Sequence, residues 1–238
     1  MSIRLFKTYD EMSEYAAELV LGDLSLNPRL KLCAATGSSP LGTYRFLAEA
    51  HAKTPRSFKG LQLIKLDEWV GLPKEHPASC EHYIREHLIE PLKIADRRYI
   101  GFRTNPASPK NECKRIQALL EAQGPIDLCI LGLGSNGHLG LNEPAEVLRP
   151  FCHVAALSEQ TKQHGMLQDL EQRPEFGMTL GMQNILGSKK IILLVQGTGK
   201  QNAFGAFRRM DINPRLPVSF LWLHDRVELL VMEKVAFP

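Results

Sequence analysis

Apolar residues recur along the chain in two alternating rhythms. Short continuous runs fall at residues 30–35, 61–66, 126–131, 153–157, 190–195, 218–223 and 228–232. Several of them carry little polar alternation, as expected of strands buried on both faces. Between many of these runs lie stretches with helical spacing, at 41–51, 81–92 and 111–122, and another at 10–21 precedes the first run. Strands alternating with helices predict βαβ units, hence an α/β fold whose mostly parallel central sheet is covered on both faces. The proline-containing stretches at 103–110 and 213–217 are short for linkers, so residues 1–238 read as one domain. The polar, weakly periodic segment 158–176 reads either as a flap over a site or as a surface helix with a loop.

Composition narrows the classes. Apolar residues make up 44% and charged residues 23% of the 238 positions, which excludes a disordered or fibrous chain. A net charge of +3 is small, and the basic pairs Lys189-Lys190 and Arg208-Arg209 are short and separated, so no nucleic-acid partner is expected. The five cysteines (Cys33, Cys80, Cys113, Cys129 and Cys152) are scattered without a CxxC pair, which suggests neither a disulfide framework nor a zinc site. No apolar run approaches the ~18 residues that span a bilayer, and the first twenty residues lack a signal peptide's apolar core and cleavage site. A cytoplasmic protein without a membrane partner is the expectation.

Four strand-to-turn junctions carry candidate chemistry. In AATGSSPLGTYRFL (34–47) a strand ends in a small, hydroxyl-rich turn and enters a helix. That geometry aims backbone N–H groups and the helix dipole at an anion, with Thr36, Gly37, Ser38 and Ser39 closest. The same residues also read as a plain helix start, with Ser39 as N-cap and Pro40 in first helical position. In IKLDEWVGL (64–72) two acids follow a buried strand, and at most one of Asp67 and Glu68 need face a site. A carboxylate there serves either as a general base or as a cap. The glycine-rich turn of residues 132–144 (GLGSNGHLGLNEP) presents Asn136, His138 and Glu143. A histidine beside a carboxylate can work as an acid/base pair, the carboxylate orienting the ring and raising its basicity. No second His or Cys lies at ligand spacing, so no metal is expected. In VQGTGKQNAF (195–204) Lys200 falls near a helix start, a place that suits a cation only when an anion is bound.

Taken together and in order, TGSSPLGTY, LDEWVGLPKEHPASC, IDLCILGLGSNGHLGLNEP, MTLGMQNIL, GTGK and VSFLWLH resemble the glucosamine-6-phosphate and galactosamine-6-phosphate deaminase/isomerase family. That family belongs to the group that also holds the 6-phosphogluconolactonases. NGHLGLNEP is similar to the deaminases' NGHIGFNEP-type signature. Lactonases show a DGHTASLFPG-like stretch there, without an acid equivalent to Glu143. The resemblance implies a three-layer, Rossmann-like fold and an amino-sugar phosphate as small-molecule substrate. It implies isomerisation with loss of ammonia and no cofactor, since the substrate's own amine makes the imine. It also implies roles: Asp67 as the base between carbons 2 and 1, and His138 with Glu143 and Asn136 at ring opening. The TGSS turn (36–39) and Lys200 would hold the phosphate. A lactonase-like hydrolase is the alternative. Two departures stand out. Larger hexameric members carry a phosphate-gripping arginine in an NSRFF-like segment, whereas this chain reads TKQHGML at 161–167. That segment looks more like the galactosamine-6-phosphate branch and makes His164 a possible substrate contact. The C-terminus shows no match to the hexamers' allosteric site, and the resemblance leaves the oligomeric state open.

Overall fold

A computed structural model describes residues 1–237. Seven strands form one parallel sheet in the order β1 (Ser2–Phe6), β10 (Val227–Met232), β9 (Ile191–Val195), β6 (Leu128–Gly132), β2 (Lys31–Ala34), β3 (Gln62–Lys65) and β5 (Tyr99–Ile100). The helices are α1 (Tyr9–Leu26), α2 (Ser38–Lys53), α3 (Cys80–Ile84), α4 (Pro109–Gln123), α5 (Glu159–Lys162), α6 (Met182–Leu186), α7 (Gln201–Phe207) and α8 (Glu233–Ala236). The sheet flanked by helices is the parallel α/β arrangement that the alternation predicts, and the Rossmann-like fold that the resemblance implies. Its central strands are saturated with buried aliphatics: Leu128, Ile130 and Leu131 on β6, and every residue of β9. Burial on both faces explains why those strands read as unbroken apolar runs.

A second, antiparallel sheet joins β4 (Asp67–Trp69), β8 (Phe176–Thr179) and β7 (His153–Ala156). The chain passes from β3 through Leu66 directly into β4, so Asp67 stands where it leaves one sheet for the other. Leu66 is tied to both, donating its N–H to Ala34 O and accepting from Leu180 N at 3.0 Å. Trp69, Leu72, Cys80, Leu141, Leu157 and Leu167 form a separate apolar cluster beneath this small sheet.

Several expectations need correction. The run at 218–223 is a 3-10 helix, Pro217–Leu223, because a period of three buries Val218 and Leu221 together. The run at 153–157 is a strand of the small sheet. The helix expected over 81–92 is a short α3 continued by a π-helical turn, Arg85–Ile89. The N-cap of α2 is Gly37, with φ at +98°, rather than Ser39, which puts Pro40 third in the helix. Left-handed space open to glycine lets the helix begin early. Strands β1 and β5 carry no apolar run because they are the sheet's edges: β1 is almost wholly exposed and β5 is two residues long.

Helix α1 starts with a reciprocal capping box, Thr8 Oγ1 accepting from Glu11 N and Glu11 Oε2 from Thr8 N. It buries Met12, Ala16, Val20 and Leu24 and packs along α2. The close approach centres on Gly42, where an added Cβ would come within 2.8 Å of Ser13 Cβ and 2.9 Å of the Tyr9 ring. Gly42→Ala gains about 1 kcal/mol of helix propensity. Overpacking two helices costs about 1–3 kcal/mol and wins. Urea unfolding is expected to show a net loss of about 1 kcal/mol; an unchanged midpoint would refute this packing.

Candidate active site

The order of strands determines where a ligand can sit. From β2 the connections lead one way, to β3 and β5, while β6, β9 and β10 continue the other way. Loops leaving the carboxyl ends of β2 and β6 therefore part and leave a crevice. A cleft of about 420 Å³ occupies that place, lined by loop residues after β2, β6 and β9, by Asp67, and by residues of the 158–176 segment. That segment, holding α5 and a 3-10 turn at Gly165–Leu167, covers the cleft as the flap alternative required.

The turn after β2 is held by phenol groups from three elements. Tyr44 donates to Ala35 O, Tyr83 to Gly37 O and Tyr9 to Ser38 O, each at 2.7 Å, and Tyr9 Oη accepts from Gly42 N at 2.7 Å. With its carbonyls occupied, the turn presents its serine hydroxyls and the first N–H groups of α2 to the cleft. Thr36, Gly37, Ser38 and Ser39 all line the cleft. Thr36 Oγ1 donates to Cys80 Sγ at 3.6 Å, and Ser38 Oγ accepts from Gln196 Nε2 at 3.1 Å. Lys200, the residue before α7, lines the same cleft, and burial lowers its pKa. An anion would satisfy both the N–H groups and the lysine.

Asp67 faces the cleft from its buried start on β4, and its Oδ1 has no hydrogen-bond partner. Burial raises its carboxyl to about 7; Glu68 adds to the shift and Lys65 opposes it. A carboxylate tuned to neutrality and open to the cleft suits proton abstraction.

His138 faces the cleft from the turn after β6, its ring lying against Gly134, where a Cβ would come within 2.5–2.6 Å of the ring. The carboxylate-oriented pair expected from sequence takes a looser form. Glu143 Oε2 is 3.8 Å from His138 Nδ1, beyond a hydrogen bond. The direct partner of Nδ1 is Thr161 Oγ1 at 3.3 Å. Asn136 makes the link instead: its Nδ2 donates to Glu143 Oε2 at 2.8 Å, and its Oδ1 accepts from His138 N at 3.1 Å. Glu143 and Asn136 thus stand behind His138, outside the cleft wall. The expected gain in basicity does not survive either. Burial outweighs Glu143, and with Lys200 and His164 nearby it lowers the imidazole to about 4, so His138 is neutral near pH 7.

His164 hangs from the flap over the anion turn. Its Nδ1 accepts from Met166 N at 3.3 Å, so the neutral ring carries its proton on Nε2. That nitrogen lies 3.2 Å from where a Cβ on Gly37 would stand. Burial and then Lys200 lower its pKa, and the ring leans on Trp69 at 5.9 Å between centroids.

Sequence reasoning missed several residues. Thr161, Gln160, Gln163 and Gln168 line the cleft from the flap, whose polarity was the available signal. Trp69 and Thr198 also line it, adjacent to recognised motifs. The clamping phenols had no local signal, since Tyr9 and Tyr83 reach the turn from 29 and 46 residues away. Among the described residues, no group of three or more His, Cys, Asp or Glu side chains is arranged to hold a metal ion.

A doubly wound fold with an anion turn, a near-neutral carboxylate and a buried imidazole at its switch point is built as an enzyme that holds an anion and moves protons, and comparison with known proteins gives the family. Residues 7–231 match the family described as glucosamine-6-phosphate isomerases/6-phosphogluconolactonase, and the chain belongs to it. It is 39% identical over 230 residues to an Escherichia coli (strain K12) protein provisionally named the deaminase AgaI, covering 97% of this chain and 91% of that one. It is 32% identical to glucosamine-6-phosphate deaminase 1 of Bacillus subtilis (strain 168), covering 99% and 98% of the two chains. A solved monomeric glucosamine-6-phosphate deaminase, described as a missing link of the NagB superfamily, superposes with a TM-score of 0.95 at 32% identity over 99% of both chains. The 6-phosphogluconolactonase of Trypanosoma brucei, at 19% identity and a TM-score of 0.74 over 99% and 97% of the two chains, shares the fold. The protein is an enzyme of this family.

Tyr83→Phe frees the Gly37 carbonyl and removes one clamp on the anion turn. Binding of inorganic phosphate, read by calorimetry, is expected to weaken about fivefold, since one hydrogen bond contributes about 1 kcal/mol. Unaltered affinity would show that the clamp does not organise the turn.

Proposed function

We propose that the enzyme isomerises and deaminates a hexosamine 6-phosphate to a ketohexose 6-phosphate and ammonia, with galactosamine 6-phosphate preferred over glucosamine 6-phosphate. The observation that carries the reading is the pairing of Asp67 and His138 on one cleft with an anion turn between the ends of β2 and β6. The phosphate lies on Thr36, Gly37, Ser38 and Ser39 with Lys200. His164 Nε2–H reaches the same turn and stands in for the arginine of the hexameric enzymes. Neutral His138, held through Asn136, Glu143 and Thr161, moves a proton at the ring oxygen and opens the sugar. Asp67 then takes the proton from carbon 2 and returns it to carbon 1. The carbon 2 amine becomes an imine, and one water hydrolyses it to the ketone and ammonia. The galactosamine preference rests on the 161–167 segment, and the lactone-hydrolysing alternative is disfavoured by Glu143 in the network behind His138.

Ammonia release from galactosamine 6-phosphate and glucosamine 6-phosphate, run beside 6-phosphogluconolactone hydrolysis, tests this directly. The expected result is ammonia from both, faster from the galactosamine ester, with the lactone untouched. Ammonia from neither would sink the reading, and a faster glucosamine reaction would reverse the preference. In Asp67→Asn, turnover is expected to fall by about a thousandfold, the usual scale of a general base, with substrate still bound. Activity near wild type would remove Asp67 as the base.

A further inference from the structure

Beneath Asp67 runs a buried chain of charges that the proposed chemistry does not itself use. Neighbouring side chains on a strand point to opposite faces, so Glu68 turns inward as Asp67 turns to the cleft. Wholly buried, Glu68 accepts four hydrogen bonds: from Trp69 N at 3.0 Å, Cys80 N at 2.9 Å, Glu81 N at 2.8 Å and Lys65 Nζ at 2.6 Å. Lys65, also wholly buried, bridges on to Glu81 Oε2 at 2.7 Å. Glu81 in turn accepts from Tyr99 Oη at 2.7 Å and Arg85 Nε at 2.8 Å, where the chain meets the surface.

We propose that the Lys65–Glu68–Glu81 chain is a positioning device for Asp67, fixing its place at the parting of the two sheets and holding charged groups at its back. An uncharged set of similar volume would pack the same space at no greater cost, since burying an ion pair seldom gains stability. A charged chain does something an apolar one does not: it places a carboxylate held by four donors one residue from Asp67.

The other groups around Asp67 leave that task to the chain. Cys80 of α3 and Tyr44 of α2 have their ionisation pushed well up by burial, and Cys33 of β2 by its hydrogen bond with Cys129 and by burial. All three stay neutral. His138 is neutral as well, and Lys200 and His164 face Asp67 only across the cleft. Lys65 and Glu68 are the two charges that move the Asp67 carboxyl, in opposite senses, and Glu68 prevails.

The inference concerns Asp67 whether or not it is the base, and the test separates the two. The Asp67 carboxyl is followed by 13C NMR in ligand-free protein labelled at aspartate, its signal assigned by its absence from Asp67→Asn. Glu68→Gln removes the neighbouring negative charge, so Asp67 holds its proton less tightly and its midpoint is expected to drop by about one pH unit. The acid limb of kcat/KM should move down with it, because a base must be deprotonated to act. Lys65→Met removes the opposing positive charge and should move the midpoint the other way, upward, and it decides alone if Glu68→Gln does not fold. A midpoint unmoved in the folded variants overturns the proposal. If the midpoint moves while the limb stays, the chain tunes Asp67 and the assignment of Asp67 as base falls instead.

Discussion

Seven parallel strands bring all their carboxyl ends to one edge of the sheet, and every feature of the site follows from that constraint. At β2 and β6 the connections diverge, so two turns that would otherwise crowd each other leave a gap. The β2 turn supplies N–H groups, the β6 turn an imidazole, the β9 turn a lysine, and β3 runs on to deliver a carboxylate. Thr36 and Asp67 stand two residues beyond the ends of β2 and β3, Lys200 five beyond β9 and His138 six beyond β6, all strands whose direction the parallel pairing has already settled.

Burial then decides the chemical state of each group. Asp67 and His138 are driven in opposite directions along the pH scale yet both toward neutrality, since desolvation penalises whichever form is charged. The outcome is a site that can pass protons without holding a large permanent charge at its reacting end. Lys200 lines the same cleft from the start of α7, and burial lowers its pKa as well. A nearby carboxylate is therefore a poor guide to a histidine's basicity: Glu143, at 3.8 Å and partly engaged by Asn136, cannot offset the cost of burying an imidazolium.

What was legible in the sequence follows the range of the forces involved. Strands saturated with aliphatics, such as β6 and β9, and capped amphipathic helices such as α1 and α4 are written locally, and so are the turns that carry Asp67, His138 and Lys200. Edge strands β1 and β5 were not readable, because their formation depends on partners far along the chain rather than on their own apolar content. The 217–223 segment failed for another reason: a period of three and an unbroken apolar run look alike over seven residues. In the site, the residues that touch the cleft were largely visible and those that hold them were not. Thr161 beside His138 and the phenols at the anion turn act across sequence distances at which no spacing rule applies.

Five residues make up α3, yet they bind both halves of the site. Glu68 receives the first N–H groups of α3, Cys80 takes the hydroxyl of Thr36, and Tyr83 takes the carbonyl of Gly37. The carboxylate and the anion turn are thus registered against one rigid peg. A shift of that peg displaces the anion turn and the Asp67 carboxylate together, so the spacing between them is kept as a ruler keeps its marks.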